Sequence, residues 1–202
     1  MNTLRSWGRV RLVLSLSLLA FLTGCLTSKP SNFYSLTSVA QQSAATANGP
    51  AVDVTLEDFP GYLSTPQIVR MQSDTQLTVE EYERWAEELK KNFERTLAEN
   101  LGTLLDSSEI YVYPRQSPLP SRCKLTIDVQ RFELDSSGSA QLKARWHLVR
   151  ATAQSPGTTR PKISSYSQKP ASQDRAAEVR ALSQALGMLS SELAQALAAA
   201  CS

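Results

Sequence analysis

The chain predicts a single α+β domain, a twisted and mostly antiparallel sheet with two amphipathic helices packed on one face. Three observations carry this. Apolar and polar residues alternate with period two in 52–57, 124–134 and 142–149, as in half-buried strands. Two long apolar stripes recur at spacings of three and four after Thr78 and after Ser172. The order is strands, one helix, strands, one helix, and each helix has one stripe to bury.

Phe33-Tyr34-Ser35-Leu36-Thr37 reads as a short first strand, and residues 38–50 as a loop with nothing to bury. Val52, Val54 and Leu56 form one face of the next strand, which Pro60-Gly61 ends. Gln67 to Met71 and Gln76 to Val79 predict a hairpin around Ser73-Asp74. Thr78 then suits a helix N-cap, with Glu81 completing a Thr-x-x-Glu capping box. Tyr82, Trp85, Leu89, Phe93, Leu97, Leu101 and Leu104 continue the helix stripe, and Asp106-Ser107-Ser108 ends it. Ile110 and Val112 begin a strand that Pro114, Pro118 and Pro120 stop.

Leu125, Ile127, Val129 and Arg131 share one face of the following strand, and Asp135-Ser136-Ser137-Gly138 supplies turn chemistry. Leu142, Ala144, Trp146 and Leu148 alternate on the return, the best hairpin in the chain. A Pro/Gly/Thr loop over 152–161 and a weak strand from Lys162 to Gln168 follow. Ser172 or Asp174 caps a last helix with Val179, Leu182, Leu186, Leu189, Leu193 and Leu197 on one side.

The N-terminus has a different character. Arg5, Arg9 and Arg11 precede an apolar run from Leu12 to Leu22, which ends in Leu22-Thr23-Gly24-Cys25. A basic region, a short apolar core and small residues before the cut define a signal peptide over 1–24. The run falls short of the about 20 residues a transmembrane helix needs. Leu-x-Gly-Cys resembles the bacterial lipobox, in which the Cys is acylated and becomes residue one. Cys25 is therefore the expected lipidation site, 25–32 a lipidated tether, and 33–200 the domain.

The three signal arginines account for the precursor's net charge of +2, so the mature chain has one more acidic than basic residue. No basic block remains that would hold phosphates, which argues against nucleic acid as a partner. With Cys25 taken, Cys123 and Cys201 form an even pair in an oxidising compartment and are candidates for a disulfide.

No catalytic or metal constellation is visible. The lone His147 sits in a strand between Trp146 and Leu148, opposite the apolar set, and one His with two remaining Cys falls short of a zinc site. The glycines at 61, 102, 138, 157 and 187 are isolated, so there is no phosphate loop. Glu80-Glu81 and Glu87-Glu88 are read as acids in the first turns of the first helix, where they favour its dipole. Tyr62 and Leu63, between Pro60-Gly61 and Pro66, are candidates for partner docking on a restrained loop. Ala181, Ser183, Ala185, Ser190, Ala194 and Ala198 give the last helix a small-residue face that suits a second core contact or a homo-oligomer interface.

Several segments together resemble one family. They are Phe33-Tyr34-Ser35-Leu36, Tyr62-Leu63-Ser64-Thr65-Pro66-Gln67-Ile68-Val69, Arg84-Trp85-Ala86-Glu87-Glu88-Leu89, Arg131-Phe132-Glu133 and Trp146, in that order. This is similar to the PqiC/YmbA-type lipoproteins, auxiliary components of ABC-type or MCE-type envelope transport. Relatives commonly carry an acid and then a base where this chain has Ser64-Thr65. The resemblance implies a non-enzymatic outer-membrane lipoprotein without a cofactor. Its partner would be a periplasm-spanning MCE protein and, through it, an inner-membrane transporter. Leu26, in place of an Asp, favours the outer membrane. The alternatives are an envelope lipoprotein that regulates or performs peptidoglycan chemistry, and a lipid-binding periplasmic chaperone.

Overall fold

The computed structural model describes residues 29–41, 49–112, 123–150 and 157–201. The signal segment and Cys25 lie outside them, as do Pro114, Pro118, Pro120 and part of each predicted loop. Asn32–Ser202 is one compact unit.

The strands are β1 (Asn32–Tyr34), β2 (Val52–Asp58), β3 (Gln67–Met71), β4 (Leu77–Trp85), β5 (Ile110–Val112), β6 (Cys123–Leu134), β7 (Ala140–Arg150), β8 (Gly157–Thr158) and β9 (Lys162–Gln168). The helices are α1 (Leu89–Leu105) and α2 (Arg175–Cys201). All strands join one mixed, open sheet. Its longest ladders, β6–β7 and β7–β9, are antiparallel, while β1–β4, β2–β5, β2–β6 and β3–β6 are parallel.

β6 organises the sheet. β7 pairs with it along its whole length, from Cys123↔Arg150 to Leu134↔Ala140. Two shorter strands meet it in parallel, β2 at Cys123–Asp128 and β3 at Leu134. Leu125, Ile127, Val129, Phe132 and Leu134 face the core with Leu148, Trp146, Ala144, Leu142 and Ala140 opposite them. The register shifts between Val129 and Arg131, a bulge that resets the alternation. Phe132 and Leu134 thereby join the apolar face. Arg131, expected beside Val129, turns to the other side.

α1 begins later than its stripe predicts. Residues 77–85 are a strand, antiparallel to β3 and parallel to β1. Thr78 is not an N-cap, and Glu80 and Glu81 do not lie in a first helical turn. Thr78, Val79, Tyr82 and Trp85 are β-branched or aromatic, and pairing on both sides outweighs the capping-box pattern. Glu87 and Glu88 lie just ahead of the helix. From Leu89 the stripe holds, with Phe93, Leu97 and Leu101 buried, and Leu105 replacing Leu104 as its last fully buried member. Each such burial contributes about 1.5–3 kcal/mol. Phe93 makes edge-on contacts with Phe59 at 5.7 Å and Phe132 at 5.0 Å, joining helix to sheet.

α2 follows its prediction. The Asp174 carboxylate accepts the Ala177 N–H at 2.8 Å, a side-chain cap, and the predicted leucines are buried. Its small residues are buried too: Ala181, Ser183, Ala185, Ser190 and Ala194 pack inside their own chain, leaving Ala198 exposed. That face is spent on a close intramolecular approach rather than offered to a second copy. A Cβ on Gly187 would come within 2.4 Å of Val39 Cγ2. The Cys123 and Cys201 sulfurs are bonded, with Cα atoms 6.0 Å apart, joining the start of β6 to the end of α2. Among the described residues no helix is long and apolar enough to cross a membrane.

Candidate docking site

β2 and β3 leave a gap along the edge of β6 between Asp128 and Leu134. The chain from Pro60 to Pro66 connects the two strands there and includes a 3-10 turn, Gly61–Leu63. Pro60 presets the turn, and its carbonyl accepts the Leu63 N–H at 2.9 Å. The turn sends its two apolar side chains in opposite directions. Leu63 is in the core at 3% exposure, whereas Tyr62 keeps 37%. Of the two candidate docking residues, only Tyr62 presents its side chain outward.

Tyr62 is held by its hydroxyl, which donates to Glu133 Oε2 at 2.7 Å. Glu133 follows the bulge on β6, and its side chain is fully buried. Arg131 Nε donates to Oε1 at 2.7 Å, and the Phe132 N–H donates to Oε2 at 3.0 Å. Three donors, one of them the Arg131 cation, compensate the buried carboxylate. Burial, and then the Glu133 carboxylate, push the Tyr62 hydroxyl well above the usual tyrosine range. It stays a donor at every physiological pH. The Arg131 side chain remains 42% exposed.

Two open recesses adjoin this cluster. One of about 190 Å³ is lined by Glu57, Asp58, Phe59, Leu63, Ser64, Glu88 and Lys90. The other, about 180 Å³, includes Arg131, Lys143 and Tyr166. Both are smaller than the roughly 300–1,000 Å³ of typical small-molecule sites. The cluster holds a restrained aromatic ring beside a guanidinium, a pairing common at the centre of protein interfaces. It brings together two segments read separately in the sequence, Tyr62-Leu63 and Arg131-Phe132-Glu133.

Two further polar clusters escaped sequence reading. Where β6 ends, Arg70 Nη2 lies 2.8 Å from Glu178 Oε1, and Arg70 Nη1 donates to the Asp135 carbonyl at 3.0 Å. Arg175 pairs with Glu178 and, at 2.9 Å, with Glu80. Glu80 is therefore a strut between β4 and α2. Gly138, at φ 80°, closes the β6–β7 turn against this cluster, where a Cβ would lie 2.4 Å from Glu178 Oε1.

The second cluster clasps the N-terminal segment. Asn92 and Asn100 are buried on α1. Asn92 Oδ1 accepts the Leu36 N–H at 2.8 Å, and its Nδ2 donates to Ser35. Asn100 Oδ1 accepts from the Ser38 hydroxyl and from the N–H groups of Val39 and Ala40, while Nδ2 donates to Ser190. The sequence did carry a signal here. Two asparagines, poor helix formers, stand eight residues apart beside the apolar stripe. His147 is half-buried on β7 opposite Thr126, and among the described residues no group of three His, Cys, Asp or Glu is placed to hold a metal.

The domain is thus a helix-backed open sheet with a clasped N-terminal segment and a rigid aromatic turn. The family model of the ABC-type transport auxiliary lipoprotein component matches residues 34–194, and the chain belongs to that family. The fold is similar to that of protein XCC0632 from Xanthomonas campestris. The TM-score is 0.68 at 20% identity, covering 84% of this chain and 96% of that one. A second crystal structure, of an uncharacterized protein, matches with a TM-score of 0.60 at 22% identity, over 83% and 99% of the two chains. No curated protein matches the sequence.

Proposed function

We propose that this protein is an outer-membrane lipoprotein serving as a non-enzymatic binding and assembly component of an MCE/ABC-type complex that moves lipids between the membranes. The observation that carries the reading is the auxiliary-lipoprotein family match across the domain, behind a Leu-Thr-Gly-Cys lipobox. Cys25 takes the acyl chains, and Leu26 favours export to the outer membrane. The periplasm-spanning MCE partner docks at the Tyr62 turn, where a ring fixed by Glu133 loses little entropy on binding. The Cys123–Cys201 bond forms in the oxidising periplasm.

Affinity capture of the tagged protein from detergent-extracted membranes tests this. An MCE protein with an ABC permease and ATPase should co-purify. Recovery of the anchored protein without any transporter would overturn the reading. Tyr62→Ala should keep fold and anchoring yet lower capture by about tenfold. Unchanged capture would move the docking site elsewhere. Leu63 is no probe of docking, because Leu63→Asp would bury a charge in the core.

A further inference from the structure

Phe33 is the most exposed large apolar side chain among the described residues, at 65%. It stands on β1, an edge strand paired only with β4, eight residues after Cys25. Eight residues of chain reach at most about 30 Å, so a lipid on Cys25 keeps Phe33 near the bilayer surface. Asn92 and Asn100 fix the segment just beyond, so β1 cannot drift from the domain.

Arg84 lies directly across from Phe33 in the β1–β4 ladder and so shares its sheet face. Among the described residues its guanidinium has no ion pair, and Nε is buried with no hydrogen-bond partner. The neighbouring acid, Glu83, takes its place opposite Asn32, on the other face, and accepts that residue's amide at 3.1 Å. An exposed aromatic ring, an uncompensated guanidinium and an adjoining lipid tether fit one surface, an interfacial layer of anionic headgroups.

We propose that Phe33 and Arg84 form a second, noncovalent membrane contact, with Phe33 seated at the headgroup–acyl boundary and Arg84 on a lipid phosphate of the leaflet that holds Cys25. It rests on the lipidation reading above. The acyl chains on Cys25 tether the domain without orienting it, and a contact of this kind fixes how the domain stands on the membrane.

The test uses the lipidated full chain in vesicles of phosphatidylethanolamine and phosphatidylglycerol containing brominated lipid. Phe33→Trp places a reporter at the contact. Ile163→Trp, an equally apolar and exposed site at 56% on the β9 edge, is the control. Each signal is read as the difference from the parent chain, whose Trp85 and Trp146 are buried. The added emission of the Phe33→Trp variant should shift to the blue and fall by about twofold, while that of the Ile163→Trp control stays unquenched. Adding Arg84→Gln to the Phe33→Trp variant should remove most of its quenching in vesicles with phosphatidylglycerol. Protein that floats with the vesicles yet leaves the reporter unquenched overturns the contact alone. Failure to float overturns the anchor and the contact together. A reporter shifted to the blue only in native envelopes, without quenching, would mean that a protein covers it and would also overturn the proposal.

Discussion

The Asn92–Asn100 clasp and the Glu133 clamp are both buried polar devices, yet they hold different things. The clasp grips mainly main chain: of its six bonds to residues 35–40 and 190, three come from backbone N–H groups and three involve short serine hydroxyls. The clamp grips side chains, the Tyr62 hydroxyl and the Arg131 guanidinium. A device that reads mainly backbone fixes where a segment runs and tolerates what it carries. A device that reads side chains fixes which groups face outward. The first suits the exit path of a tether, and the second suits a docking surface.

Separate substitutions should break these functions apart. The largest effect belongs to Asn100→Leu, which strips the acceptor from Ser38, Val39 and Ala40 and the donor from Ser190. Leaving such groups without partners costs about 3 kcal/mol. Urea unfolding should show the loss, and limited proteolysis should cut within 36–41 first. Capture of the transporter by the surviving folded fraction should be unchanged. A matching loss of capture would mean that the two devices are one.

Glu133→Gln comes next. The amide keeps an acceptor for Tyr62 but places an NH₂ among donors and leaves Arg131 without its counter-ion, at a cost of about 1–2 kcal/mol. Arg131 can relieve part of this by turning to solvent. The expected signature is modest destabilisation with a clear fall in capture, the reverse of the ratio for Asn100→Leu. Equal ratios in the two variants would erase the distinction.

What the sequence disclosed follows the range of each interaction. The β6–β7 hairpin is legible because its alternation, its Asp135 turn and its pairing are local. α2 is legible because its stripe runs unbroken to Leu197. The start of α1 is not, because Tyr82 and Trp85 fall in phase with Leu89, while the pairing that excludes a helix comes from distant β1 and from an extension of the β3 hairpin as far as Arg84. The facing of Arg131 is hidden because a bulge has no signature in this alternation. At the candidate site, Tyr62 is picked out by its flanking Pro and Gly. Its partner Glu133 stands 71 residues away, and no spacing rule connects them. The inward turn of Leu63 depends on the gap between β2 and β3, which only the pairing of β6 reveals.

The smallest effect is also the most selective between the two devices, because amides do not titrate and a phenol does. Burial and the Glu133 carboxylate hold the Tyr62 pKa above its unfolded value of about 10. Its contribution to stability is therefore complete below about pH 10. As the pH rises further, the unfolded chain releases the proton while the folded one keeps it, so stability declines. Tyr34, pushed up to about 12 by burial and Glu83, and Tyr166, raised by burial and Glu192, add to the same slope. Thermal melts between pH 9 and 11 should thus fall in the wild type and fall less steeply in Tyr62→Phe, whereas Asn100→Leu should keep the wild-type slope from a lower start. If Tyr62→Phe leaves the slope untouched, the hydroxyl is not held by a carboxylate in solution, and the clamp no longer explains how the ring is presented.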